Sequence, residues 1–233
     1  LARRGRAVIS RPGGCNIGDR PVDLHLHGFR ALGAEIHSGE GYIHAQAPAS
    51  GRLQGARIFL GGPFGPTVTG TANVMSAATL AEGRTVIDSA ACEPEIVDLA
   101  NLLNAMGARI SGAGTPSVTI DGVEALGGAR HTVIPDRIEA GTLMIAAAIT
   151  NGDVILENCP LEELTAFRTC LDAVGVQWEL VDEAGDKADA FSDSPDSRSQ
   201  CVRVASQRRL SPVAITTQPH PGFPTDLQAQ MMA

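Results

Sequence analysis

The chain is 233 residues long, 43% hydrophobic, 19% charged and 3% aromatic, with 26 glycines and a net charge of −8 at pH 7. This is ordinary α/β composition, with length enough for one large core or two smaller ones. The acidic balance excludes a general nucleic-acid binder, which needs clustered Lys and Arg to neutralise phosphates; the arginines at positions 3, 4, 6 and 11 are too few to reverse it.

The first distinctive stretch is Arg11-Pro12-Gly13-Gly14-Cys15-Asn16-Ile17-Gly18-Asp19-Arg20-Pro21-Val22-Asp23. Its glycines permit positive φ and close backbone approach to a ligand. Arg20 offers a planar fork for an anion, and a cysteine near arginines can have a lowered pKa. The loop chemistry points to an anionic substrate. Val22, Leu24, Leu26, Phe29 and Leu32 then fit an amphipathic helix stopped by Gly33. Within it, His25 and His27 invite a metal reading, but residues two apart on a helix do not share a face, and no metal site is expected. Short runs at Ala34–His37, Tyr42–Gln46 and Ala56–Leu60 read as strands.

Gly61–Gly70 reads as a second glycine-proline loop, Thr71–Glu82 as a helix stopped by Gly83, and Thr85–Ser89 as a strand. Glu93-Pro94-Glu95 opens a helix, with Pro in the first turn and acidic residues at the positive end of the dipole. Ile96, Leu99, Ala100, Leu103 and Met106 keep helical spacing up to Gly107. Asp136-Arg137-Ile138-Glu139 looks like the ion-paired start of another helix.

The pattern around Met75–Gly83 is echoed at Met144–Gly152, and that around Ala105–Ile110 at Ala173–Trp178. Near-equal offsets imply duplicated strand-and-helix units of about 70 residues, too long for the common solenoids and suited to packing helices on sheet faces. The segment 182–199 concentrates Asp182, Glu183, Asp186, Asp189, Asp193 and Asp196 against Lys187 and Arg198, and reads as a solvated loop insertion. Cysteines at 15, 92, 159, 170 and 201 form no C-x-x-C pair, so neither a disulfide framework nor a zinc site is indicated, and a reducing compartment is expected. The uncharged run Ile58–Ala81 is broken by Gly61, Gly62, Pro63, Gly65, Pro66 and Gly70, so no membrane segment is expected.

Four blocks carry a resemblance. They are PGGC-x-IG-x-RPVDLHL at 12–26, LAEGRTVIDSAACEPEIVDLANLLNAMGARISGAGT at 80–115, PDRIEAGT at 135–142, and HPGFPTDLQAQ at 220–230. In this order they resemble the UDP-N-acetylglucosamine 1-carboxyvinyltransferase (MurA) family, the enolpyruvyl transferases that open peptidoglycan synthesis. The chain starts at Leu1 and ends at Ala233 just past a recognisable block, and against the resemblance it is expected to be an internal piece of a longer enzyme.

The resemblance implies an EPSP synthase-like fold of the α/β (α+β) class: two inside-out α/β barrel domains of repeated βαβαββ units around a cleft. Residues 1–134 would belong to the first domain and 135–233 to the second. It implies that Cys15 sits over phosphoenolpyruvate, donates a proton and is the thiol alkylated by fosfomycin. By the same resemblance Arg20 contacts substrate phosphate, and Pro21, Val22, Asp23 and Leu24 belong to the uridine-binding run. Thr67, Val68 and Thr69 stand where the family has its Ser-Val-Gly nucleotide loop. Thr69 replaces the glycine there and puts a side chain where backbone ordinarily approaches the ligand. Asp226 sits at a position suited to helix capping; the resemblance makes it the catalytic aspartate on the sugar 3-hydroxyl.

The implied reaction is enolpyruvyl transfer from phosphoenolpyruvate to UDP-N-acetylglucosamine with release of phosphate. It needs no metal or organic cofactor, and the implied setting is the cytoplasm. The family's Lys-Asn pair and late arginines have no counterpart in these residues. Two alternatives stand beside this reading: a shikimate-type enolpyruvyl transferase, against which PGGC and PVDLHL argue, and a non-catalytic nucleotide-sugar-binding paralogue, which Thr69 keeps open.

Overall fold

Residues 1–10, 22–63, 65–182, 200–206 and 209–233 are described by a computed structural model. The cysteine-bearing loop up to Pro21 and nearly all of the acidic insertion lie outside the described residues. The described chain clusters into two units, Leu1–Thr132 and Val133–Ala233.

Unit 1 begins with β1 (Arg6–Ser10), α1 (Asp23–Ala31), β2 (Glu35–Gly39) and β3 (Tyr42–Gln46), the strands forming an antiparallel sheet in the order β1-β3-β2. Glu40 and Gly41, both at positive φ, make the tight turn that joins β2 to β3. A complete βαβαββ unit follows. It comprises β4 (Arg57–Phe59), a small hairpin of β5 (Gly61–Gly62) and β6 (Gly65–Pro66), α2 (Val68–Ala78), β7 (Arg84–Asp88), α3 (Pro94–Ala105), β8 (Arg109–Ser111) and β9 (Ser117–Asp121). The order is β4-β7-β9-β8, with β4 parallel to β7 and the other pairs antiparallel.

Unit 2 repeats the scheme with α4 (Arg137–Ile149), β10 (Asp153–Cys159), α5 (Thr165–Val174), β11 (Gln177–Val181) and β12 (Gln200–Ala205), ordered β10-β12-β11. A 3₁₀ turn at Thr225–Leu227 leads into α6 (Gln228–Met232). The mixed α/β class expected from the sequence is the one observed. The order first-third-second recurs in β1-β3-β2, β7-β9-β8 and β10-β12-β11, so the duplicated unit occurs three times among the described residues. After the helix in each copy stands a glycine with φ of 87° (Gly33), 102° (Gly107) or 93° (Gly175), the left-handed conformation that ends a helix without a Cβ clash.

One expectation needs correction. α2 spans Val68–Ala78 rather than Thr71–Glu82, because Thr67 caps it: its Oγ1 accepts from Gly70 N at 3.2 Å. Residues expected to belong to a loop therefore form a hairpin and a helical first turn. Asp136 opens α4 by capping, its Oδ1 accepting from Ile138 N at 2.7 Å and Glu139 N at 3.3 Å.

Each unit has its own apolar core. In unit 1 it contains the fully buried Leu32, Leu53, Ile58, Leu60, Met75, Ile87 and Ile120. In unit 2 it is built on Met144, Leu164, Phe167, Leu171, Val202 and Val204. Burial of side chains this size stabilises by about 1.5–3 kcal/mol each before entropy is counted. Among the described residues no helix is long and apolar enough to cross a membrane.

Candidate active site

The expected site residues are divided between the two units. Cys15, Arg20 and Pro21 lie outside the described residues. In unit 1, Val22, Asp23 and Leu24 stand at the start of α1 and Thr67, Val68 and Thr69 at the start of α2, and the two helices pack against each other. Val22 is the N-cap of α1, and Asp23 is exposed in the first turn, where a carboxylate meets the positive helix end. Leu24 reaches the β5–β6 hairpin; a Cβ built on Gly62 would lie 3.1 Å from Leu24 Cδ1. Thr67 caps α2 and so spends its hydroxyl on Gly70 N, leaving Val68 and exposed Thr69 in the first turn.

The close approach of α1 to α2 depends on Gly28. A Cβ there would lie 2.3 Å from Val74 Cγ2, a contact no side chain sustains, so the glycine lets α1 lie directly on α2. One turn earlier on α1, His25 is half-buried at the same seam. Its Nε2 lies 3.3 Å from Thr69 Oγ1 and its Nδ1 lies 3.0 Å from Asn73 Nδ2. Thr69 and Asn73 stand four apart on α2 and so share a face. An amide nitrogen only donates, which makes Nδ1 the acceptor and leaves the proton on Nε2, directed at Thr69. Burial lowers the His25 pKa, and the nearby Asp23 carboxylate opposes that less strongly. His25 thus belongs to a hydrogen-bonded helix contact, a role that its spacing to His27 did not suggest. Asn73 gave no sequence signal at all.

Further along unit 1, Thr71 Oγ1 donates to Thr67 O at 2.7 Å and accepts from Ala91 N at 3.0 Å. This ties the start of α2 to the segment that leads into α3.

In unit 2, Asp226 is exposed in the 3₁₀ turn Thr225–Leu227. The cap of that turn is Pro224, and no side chain caps it, so the capping role expected of Asp226 is not the one observed. The carboxylate is displayed between two buried anchors. Phe223 packs against Phe167 with ring centroids 6.1 Å apart, and Leu227 is fully buried. Leu227 seats against α4 at Gly141, where a Cβ would lie 2.6 Å from Leu227 Cδ1. Gln230 Nε2 then donates to Thr142 Oγ1 at 3.0 Å. Two of the four sequence blocks, 135–142 and 220–230, therefore meet, and Gly141 and Thr142 fix the turn that carries Asp226.

A family profile described as EPSP synthase (3-phosphoshikimate 1-carboxyvinyltransferase) matches residues 1–233. The chain is 53% identical over 233 residues to UDP-N-acetylglucosamine 1-carboxyvinyltransferase 2 of Carboxydothermus hydrogenoformans, covering 100% of this chain and 51% of that protein. It is 48% identical to UDP-N-acetylglucosamine 1-carboxyvinyltransferase 1 of Staphylococcus aureus (strain MRSA252), covering 50% of it. The chain thus spans about half the length of the curated relatives it matches. Among solved structures, the enolpyruvyl transferase NikO from Streptomyces tendae matches with a TM-score of 0.75 at 21% identity, over 99% of this chain and 50% of that one. EPSP synthase from Acinetobacter baumannii matches with a TM-score of 0.59 at 22% identity, over 88% of this chain and 43% of that one. These two likenesses are at the level of fold. With the profile match running from the first residue to the last, the chain belongs to the EPSP synthase (3-phosphoshikimate 1-carboxyvinyltransferase) family.

Proposed function

We propose that the full-length protein transfers the enolpyruvyl group of phosphoenolpyruvate to the 3-hydroxyl of UDP-N-acetylglucosamine, releasing phosphate, and so serves peptidoglycan synthesis in the cytoplasm. The observation that carries this reading is the 53% identity, over the whole of this chain, to a UDP-N-acetylglucosamine 1-carboxyvinyltransferase. Asp226 is the general base. It takes the 3-hydroxyl proton as the oxygen bonds to C2 of phosphoenolpyruvate, and C3 of the enol is protonated by Cys15. The tetrahedral ketal then expels phosphate as the double bond re-forms by loss of a C3 proton. Arg20 is among the cations that hold the developing charge. Val22, Asp23, Leu24, Val68 and Thr69, with Arg20 and Pro21, bind the nucleotide sugar.

The exposure of Asp226 on a turn anchored at both sides supports its role, since a base must meet its substrate without moving. Its test is phosphate release by the full-length protein from phosphoenolpyruvate plus UDP-N-acetylglucosamine. Turnover is expected, and Asp226→Asn, which keeps size and hydrogen bonding but removes the base, is expected to lower it by roughly 10²- to 10⁴-fold. Turnover with shikimate 3-phosphate in place of the nucleotide sugar, or full activity in Asp226→Asn, overturns the reading.

A further inference from the structure

Both segments assigned above to the nucleotide sugar lie at the ends of helices that touch. Val22, Asp23 and Leu24 start α1, and Thr67, Val68 and Thr69 start α2. Binding one ligand with two helix ends requires their relative register to be fixed, since an error of about 1 Å in placement is costly at a reacting centre. The closest apolar approach is Gly28 on Val74, which sets how near α1 lies to α2.

The polar part of the seam is His25 with Thr69 and Asn73. We infer that His25 is a positioning residue of the nucleotide-sugar site, its two ring nitrogens bonded to Thr69 and Asn73 so as to lock the start of α1 in register with the start of α2. An imidazole suits this role because it is planar, rigid and, when neutral, presents one donor and one acceptor in opposed directions. The two partners sit one helical turn apart, so the ring bonds both only at one axial position of α1 on α2.

The same geometry accounts for Thr69, the side chain that replaces the family's glycine. Its hydroxyl is turned onto His25 Nε2, so the threonine adds a register bond that glycine cannot make. His25 need not touch the ligand; it acts through the segments it holds.

This inference rests on the proposed function, and its test separates the two. In the full-length protein, UDP-N-acetylglucosamine binding is measured by calorimetry and turnover by phosphate release, for wild type, His25→Leu, Thr69→Val, His25→Gln and the double variant His25→Leu/Thr69→Val. Losing two neutral hydrogen bonds at about 1 kcal/mol each is expected to weaken UDP-N-acetylglucosamine binding and raise its KM about tenfold or more in His25→Leu. The effect of Thr69→Val is expected to be smaller, about three- to sixfold. kcat and the KM for phosphoenolpyruvate are expected to change far less. His25→Gln, which keeps a donor and an acceptor, restores part of the loss. The double variant is expected to be no weaker than His25→Leu, because both changes remove the same bond.

A ring-nitrogen NMR measurement on the wild-type protein accompanies these titrations and is expected to show the neutral tautomer protonated at Nε2. It decides the geometry even if His25→Leu fails to fold. A charged or freely exchanging ring, additive losses in the double variant, or unchanged nucleotide-sugar affinity in His25→Leu overturns the inference. If wild type binds UDP-N-acetylglucosamine without turning it over, the proposed reaction fails while the binding arms still decide the role of His25. If wild type does not bind it, both fall.

Discussion

Burial against α2 pushes the His25 pKa below the ordinary histidine value, and the facing groups on α2, Thr69 and Asn73, are uncharged. A base with a depressed folded-state pKa binds fewer protons folded than unfolded, so stability rises with pH between the two values. The His25 contribution is therefore at its most favourable above the unfolded pKa of 6.5, and is lost progressively as pH falls from there through the folded value. Chemical denaturation at a series of pH values is expected to show less of this acid destabilisation in His25→Gln than in wild type. Asp23→Asn is expected to enlarge it by removing a nearby charge that favours the imidazolium; equal pH slopes in all three proteins would refute the assignment. A different residue-scale argument concerns the thiols. Burial pushes Cys159 up to about 11, the Arg168 charge recovering only part of that, and desolvation also raises Cys92 and Cys170. Since the thiolate is the nucleophile, these are poor alkylation targets. Fosfomycin treatment of the full-length protein followed by peptide mass mapping is expected to place the adduct on Cys15, and an adduct on Cys92, Cys159, Cys170 or Cys201 would displace it.

At the scale of elements, both turns that display candidate residues rest on glycines that let something come close. Gly141 in α4 admits Leu227, and Gly28 in α1 admits Val74. Overpacking such a contact typically costs about 1–3 kcal/mol. Gly141→Val is expected to lower the stability of the full-length protein by that order and to reduce kcat more than it raises the KM for UDP-N-acetylglucosamine, because it displaces the turn carrying Asp226. Unchanged kcat in a folded Gly141→Val protein would show that the turn does not depend on this seat. The ends of α1, α3 and α5 were legible in the sequence because Gly33, Gly107 and Gly175 answer a steric demand that no other residue meets as cheaply. The start of α2 was not, since Thr67, Thr69, Gly70 and Thr71 are weak helix formers and only the Thr67 cap turns them into a first turn. The His25–Thr69 bond was beyond reach for another reason. It joins residues 44 apart, and helical periodicity says which face is apolar without saying which polar partners meet across it.

For the whole molecule, the duplication was readable because each copy ends its helix in the same way and enters the next strand with the same spacing. The third copy, β1 to β3, shares the strand order and the left-handed glycine after its helix, Gly33. The four motif blocks were readable too. What they do to one another, as when Gly141 and Thr142 seat the Asp226 turn, required coordinates. The same scale sets the last expectation. Expelling phosphate from the tetrahedral ketal needs several fixed cations around the leaving group, because preorganised charge aimed at the leaving group is usually the largest single catalytic contribution. Within this stretch the family resemblance assigns only Arg20 to that task, and the chain spans about half of its curated relatives. The residues proposed to bind the nucleotide sugar lie in the same stretch, so binding and chemistry should separate. The 233-residue chain is expected to release no phosphate from phosphoenolpyruvate plus UDP-N-acetylglucosamine, while the full-length protein does so at an ordinary enzymatic rate. Steady phosphate release by the 233-residue chain, abolished by Arg20→Ala, would show that one arginine suffices and that the remaining cations are dispensable.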